Sequence, residues 1–265
     1  MTFLRMYWRA MAVFALVAGV AVEAQAGPPY LTDDPVPVDL GHWEIYAFTQ
    51  GSFVQNQASV VLPATEINYG ALPGLQLHLI VPLALFSQTG FGTQYGLGDV
   101  EAGFKYRFVN ADEKDWWPQV GVFPQVFFPS GEVDRGLGTG RAHAFLPVWF
   151  EKDFSGGWSS DFGGGYWVNP GPGNRNYWFL GWQVQREVIK GLTLGAEVFT
   201  QSASTTALQG QLGYPAGTAQ STGFNVGAVY DFTEHHHLLM SAGTGLVNAP
   251  RSDLATYYLA YQYTF

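Results

Sequence analysis

Asp99, Glu101, Lys105 and Arg107 alternate with Val100, Ala102, Phe104, Tyr106 and Phe108. An extended chain turns successive side chains to opposite faces. One face of this run therefore carries two carboxylates, an ammonium and a guanidinium, and the other is wholly apolar. Such a charged face can pair within itself and brace whatever it lines, or it can help a solute past. Read in the same way, other period-2 runs place Glu44, Glu66, His78, His143, Glu151, Asp161, Glu187, Glu197 and Asp231 on the like face. Tyr46, Phe48, Phe123, Phe127, Phe145, Trp149 and Phe199 join them there. Those rings either fill an interior or offer flat apolar contacts to an aromatic or hydrophobic solute.

Other chemistry is poorly supported. His235-His236-His237 follows Glu234 in what reads as a short polar turn, and no metal is expected there. Gly136-Leu137-Gly138-Thr139-Gly140 lacks the Gly-x-x-x-x-Gly-Lys-Ser/Thr spacing of a phosphate loop and reads as a flexible connection. Neither His-Glu-x-x-His nor Gly-x-Ser-x-Gly occurs. Cysteine is absent, which removes disulfides and thiolate metal sites. No cofactor is expected, and no catalytic residue is singled out.

The elements that must position these residues follow from composition and period. Charged residues make up 12 % of the chain, against about 25 % in soluble domains. Aromatics make up 16 % and glycine numbers 33. No stretch after residue 26 is long and apolar enough for a spanning helix, which takes about 20 residues. Twelve period-2 runs follow instead, at about 42–53, 59–70, 75–86, 98–109, 117–128, 142–152, 158–168, 177–188, 192–200, 222–232, 237–247 and a last one ending at Phe265. The run 75–86 carries a stripe of Leu75, Leu77, Leu79, Val81, Leu83 and Leu85. The chain closes on Tyr257, Leu259, Tyr261, Tyr263 and Phe265, an aromatic stripe running to the carboxylate. A closed barrel satisfies every backbone group between its strands while apolar side chains face lipid. The expected fold is therefore all-β, a transmembrane antiparallel up-and-down β-barrel of about twelve strands. Ten or fourteen remain open, since the runs at 117–128, 158–168 and 237–247 are less regular.

The first residues read as an export signal. Arg5 and Arg9 precede the uncharged run Ala10–Val22, and Ala24-Gln25-Ala26 has a small-x-small cleavage pattern. Residues 1–26 are read as a cleaved signal peptide, the alternative being an uncleaved anchor. Residues 27–40 hold four prolines without alternation and read as an extended segment that enters the lumen or lies beneath it; residues 41–265 form the barrel. With strand 1 rising from the periplasm, the turns 71–74, 110–116, 153–157, 189–191 and 233–236 lie inside and are short. The outer connections, 54–58, 87–97, 129–141, 169–176, 201–221 and 248–253, are mostly longer, as in bacterial barrels. A net charge of −9 argues against a nucleic-acid partner.

Thr32-Asp33-Asp34-Pro35-Val36-Pro37, Gly41-His42-Trp43-Glu44, Gly96-Leu97-Gly98-Asp99-Val100 and Lys105-Tyr106-Arg107-Phe108 together resemble the bacterial outer-membrane transporter family of the MetA pathway of phenol degradation. The resemblance covers most of the chain after residue 26. It implies a barrel in the outer membrane and passage of aromatic or other hydrophobic compounds, and it brings no catalytic set. The expected function is passive passage of small hydrophobic or aromatic compounds by a non-enzymatic monomer. Its partners are outer-membrane lipid and, through Phe265, the barrel-assembly machinery. The solute-pathway candidates are Glu44, Tyr46, Phe48, Asp99, Glu101, Lys105, Arg107, Phe123, Phe127, Trp149, Glu197 and Phe199. The alternatives are a membrane-embedded lipid hydrolase, for which inward-facing His78 and His143 are badly placed, and a structural or adhesion barrel acting through its outer loops.

Overall fold

A computed structural model describes residues 28–54, 57–204, 220–247 and 255–265. The stretch read as a signal peptide lies outside the described residues. One antiparallel sheet holds fourteen strand segments. They are β1 (Trp43–Val54), β2 (Gln57–Leu72), β3 (Leu75–Gln88), β4 (Gly92–Leu97), β5 (Val100–Val109), β6 (Gln119–Val122), β7 (Gln125–Phe128), β8 (His143–Phe154), β9 (Trp158–Val168), β10 (Tyr177–Ile189), β11 (Leu192–Gln201), β12 (Ser221–Asp231), β13 (His236–Val247) and β14 (Ala255–Thr264). Segments β4 and β5 both pair with β3, along Leu83–Gln88 and Leu75–Ile80 respectively, and so form one stave interrupted at Gly98-Asp99. Segments β6 and β7 both pair with β5 and β8 and form a second broken stave. Its break falls at Pro124, which has no N–H to give to a ladder. The fourteen segments are thus twelve staves, matching the twelve runs of the sequence.

Closure is made by β1 with β14. Trp43 and Phe265 exchange both backbone hydrogen bonds, at 2.8 and 3.0 Å. The first and last strands therefore leave no edge between them, while β4 pairs with β3 alone. The connections at the end holding Trp43 and Phe265 are short apart from 110–118, between β5 and β6. One outer connection departs from expectation: residues 92–97 belong to the wall, and the turn between β3 and β4 covers only 89–91. The larger connection 129–142 carries one 3₁₀ turn, Val133–Arg135, and folds back on the wall. There Arg135 donates to the Tyr95 carbonyl at 2.8 Å and to Gln94 Oε1 at 3.1 Å.

Alternation sorts the side chains as a barrel requires. Leu77, Leu79 and Val81 face outward on β3, as do Phe104, Tyr106 and Phe108 on β5 and Trp178, Leu180 and Trp182 on β10. Several register shifts interrupt the ladders, and the one in the middle of β2 reverses which residues face inward. Between Val61 and Ala64, β2 uses three residue steps where β3 uses two. Both Val61 and Ala64 are buried, while Leu62 and Pro63 are turned outward. The inside is not an open pipe. Phe123, Phe127, Phe145, Trp149, Trp167, Tyr177, Phe179 and Phe199 form one cluster there. Tyr46, Phe48, Val61, Ala64, Leu239 and Ala260 form a second.

Candidate functional site in the barrel lumen

The site begins with the segment before β1. From Pro28 to Val38 the chain runs inside the wall, crossing from the β10–β12 side to the β2–β5 side, and it emerges at Asp39 to His42. Its first anchor is Glu197, buried on β11. The backbone N–H of Leu31 donates to Glu197 Oε1 at 2.9 Å, and the N–H and hydroxyl of Thr32 donate to Oε2 at 2.9 and 2.8 Å. Asn225 Nδ2 adds a fourth donor at 2.6 Å. A carboxylate with four donors is a strong hydrogen-bonded anchor. The second anchor is Lys105 on β5, whose Nζ lies 3.0 Å from Asp33 Oδ1 and 3.2 Å from Asp34 Oδ1. Burial pushes the Asp34 carboxyl up to about 7; the Lys105 ammonium opposes that rise and the Asp33 carboxylate adds to it. Further along, the Val38 N–H donates to Gln76 Oε1 at 2.9 Å.

Glycine makes the room. Gly181 faces inward on β10, and a Cβ there would sit 2.1 Å from Thr32 Oγ1. At Gly70, where the segment leaves the lumen, a Cβ would meet the Asp39 carbonyl oxygen at 1.9 Å. The sequence shows the sign of this cradle, since Gly121, Gly181, Gly195 and Gly227 all fall on inward positions of their strands.

The charged face of β5 does not pair within itself, contrary to the bracing ladder expected as one reading. Each member has a partner elsewhere. Asp99 accepts the Gly131 N–H at 3.0 Å and the Thr139 N–H and hydroxyl at 2.8 Å, so it ties the 129–142 connection to the stave break. Glu101 Oε1 lies 3.0 Å from His78 Nε2, and His78 Nδ1 lies 2.7 Å from Asn68 Oδ1. Asn68 in turn donates to Glu66 at 2.8 Å. Lys105 holds the inner segment, and half-buried Arg107 donates to Gln119 Oε1 at 2.6 Å. The reason is spacing: residues two apart on a strand sit further from each other than from residues on the adjacent strands.

The remaining candidates divide between two walls. Glu44 accepts from the Tyr46 hydroxyl at 3.1 Å, and Phe48 stacks on Tyr258 with centroids 5.6 Å apart. Phe123, Phe127, Trp149 and Phe199 belong to the larger cluster, in which Phe145 stacks on Trp167 at 4.7 Å and Trp167 on Tyr177 at 5.6 Å. His143 stacks on Phe127 at 4.6 Å. Trp167, Tyr177, Phe179 and Tyr258 line the interior and were not singled out from the sequence, although alternation with Asp161, Gln183 and Gln262 would have found them. Glu187 and Asp231 are half-buried near the end that carries Trp43.

Between the inner segment and the β1–β3 wall lies a cavity of about 150 Å³. It is bordered by the rings of Tyr46, Phe48, Phe123 and Tyr258 and by Glu66, His78, Glu101 and Lys105, with Phe123 against both His78, centroids 4.9 Å apart, and Lys105 Nζ, 5.2 Å from the ring. A bounded, mixed cavity inside a closed barrel suits holding or passing a small solute.

The family described as "Putative MetA-pathway of phenol degradation" matches residues 45–263. The chain belongs to that family. No curated protein sequence matches. Among solved structures, this member of the phenol-degradation family is similar to an outer membrane channel from Pseudomonas putida F1. The identity is 18 %, the TM-score 0.65, and the match covers 88 % of this chain and 98 % of that one. It is also similar to the NanC porin (10 % identity, TM-score 0.54, 82 % and 98 % covered). The KdgM porin gives 14 % identity and a TM-score of 0.52, with 83 % and 99 % covered. At these identities the likeness establishes the fold, a barrel of the outer-membrane kind.

Proposed function

We propose that this protein is a monomeric, non-enzymatic channel of the bacterial outer membrane that lets small aromatic or hydrophobic compounds through by diffusion. The observation that carries the reading is the cavity beside Phe48, Phe123 and Tyr258. A space of about 150 Å³ has the volume of a cavity that takes a benzene-sized molecule, and here polar groups stand among the rings to orient a hydroxyl. The fold it shares with channels and porins and its place in the phenol-degradation family support the same reading. The solute path runs along Tyr46, Phe48, Glu101, Lys105 and Phe123, with residues 28–42 as a plug across it. The outward belt meets lipid, and Phe265 is the residue presented to the assembly machinery.

Liposome swelling with refolded protein tests this. Phenol-sized aromatic alcohols are expected to enter faster than sugars of similar mass. Equal rates for both classes would remove the aromatic preference, and no entry of either would remove the channel.

A further inference from the structure

Two cavities meet inside the barrel. The first, of about 150 Å³, lies beside Phe48 and Phe123. The second, of about 400 Å³, opens at the end nearest Trp43. Pro28 and Val36 of the inner segment and Glu44 and Tyr46 of β1 border both. The direct way from one cavity to the other therefore lies between these four residues.

The backbone on both sides of this partition is held. Ser241 donates to the carbonyl of Pro29, next to Pro28, at 2.5 Å. The Val36 N–H donates to Asp34 Oδ1 at 2.6 Å, and Lys105 in turn holds Asp34. On the wall side, Glu44 and Tyr46 are laddered to β14 and to β2. The width is thus left to side chains, and that of Tyr46 is the largest of the four. Residues two apart on a strand share a face and lie roughly 6.5–7 Å apart. The Tyr46 hydroxyl spans that gap and donates to Glu44 Oε2 at 3.1 Å. The ring therefore leans along β1 toward the Trp43 end, across the partition. It also packs in the cluster with Phe48, Ala64 and Leu239. A ring tied at its hydroxyl and packed among apolar neighbours keeps one orientation.

We propose that Tyr46 is the specificity-determining residue of the path. Its ring, tethered to Glu44 and facing Val36, is the narrowest point between the two cavities and sets the cross-section of what passes. This rests on the channel reading and gives it a named constriction.

The test exploits the absence of cysteine from the chain. The refolded protein without residues 1–26, as wild type and as Tyr46→Cys, is recorded in planar bilayers in KCl. Resistance concentrates at the narrowest part of a pore, so Tyr46→Cys is expected to raise single-channel conductance at least about twofold. Benzyl methanethiosulfonate is then added. The introduced thiolate attacks its sulfenyl sulfur, a mixed disulfide forms and methanesulfinate leaves, which puts a ring back at the partition. Conductance is expected to return to the wild-type level. Methyl methanethiosulfonate, which adds no ring, should leave most of the gain. Leu259→Cys, facing outward on β14 beside β1, should conduct as wild type before and after either reagent. Heat-modifiable migration verifies folding, and mass verifies modification. Should Tyr46→Cys not fold, Val36→Cys, on the facing side of the partition, is expected to behave in the same way. Unchanged conductance in a folded variant, or a gain that the benzyl group does not reverse, would overturn the constriction and leave the channel. A silent wild type beside a conducting variant would support both, with Tyr46 closing the path. No current in either protein would remove the channel and the constriction together.

Discussion

Lys105 and Glu197 hold the inner segment from opposite walls, and their chemistry makes different predictions. In Lys105→Met, Asp33 and Asp34 lose the ammonium that sits 3.0 and 3.2 Å away. Removing one partner of a buried pair costs roughly 3–5 kcal/mol. In Glu197→Gln an acceptor remains but loses its charge, and the cost should be about 1–3 kcal/mol. Both losses fall on the seating of residues 28–42. The expected readout is faster proteolysis within that segment, with Lys105→Met the more severe. The double variant should be little worse than Lys105→Met alone, because a segment released at one anchor no longer uses the other. Fully additive effects would show that the anchors act independently. At this scale the sequence was half legible. Alternation turned Lys105 and Glu197 inward, but it carries no information about which group each one meets. Those partners lie 71 and 165 residues away in the chain, and short-range pattern cannot reach them.

At the scale of elements, the strands were legible and the inner segment only partly so. A strand in a barrel repeats one instruction, apolar outward and polar or aromatic inward, for ten residues or more, so Leu75–Gln88 and Tyr177–Ile189 declare themselves. Leu31, Thr32 and Val38 bond to side chains of distant strands, and residues 28–42 follow no period. What marks their path is an absence of side chains on the wall opposite. Gly181→Val tests that cradle, since its Cβ would fall 2.1 Å from Thr32 Oγ1. The expected result is displacement of the segment and a rise in single-channel conductance, with the barrel's own unfolding unchanged. Leu180→Val, one residue away and facing outward, should leave conductance as it is. Deleting residues 28–38 should raise conductance at least as much as Gly181→Val. No change on deletion would mean that the segment does not obstruct the path.

For the whole molecule, the outward apolar belt is the surface proposed to meet lipid, and the bulge in β2 offers the sharpest check on it. Inward Glu66 sets the parity of β2, and counting back from it by twos turns Leu62 inward. The bulge between Val61 and Ala64 adds one residue and turns Leu62 outward instead, leaving it 48 % exposed. An extra residue of this kind is invisible to a pattern reader, because Leu62 and Val61 are equally apolar and both fit either face; only Pro63, which cannot donate to a ladder, hints at it. Arginine facing lipid near mid-depth costs about 2–4 kcal/mol, falling to roughly 0–1 near the interfaces. Leu79→Arg, on the regular part of the outer belt, should therefore lower unfolding free energy in phospholipid vesicles by the larger amount. A spin label at Leu62 should be reached by a lipid-soluble relaxant and shielded from an aqueous one, as should labels at Leu79 and Leu194. A label at Leu62 reached only from water would mean that β2 keeps strict alternation. The register of β2 against β1 beyond that point would then be one residue away from the arrangement that puts Val61 and Ala64 together with Phe48.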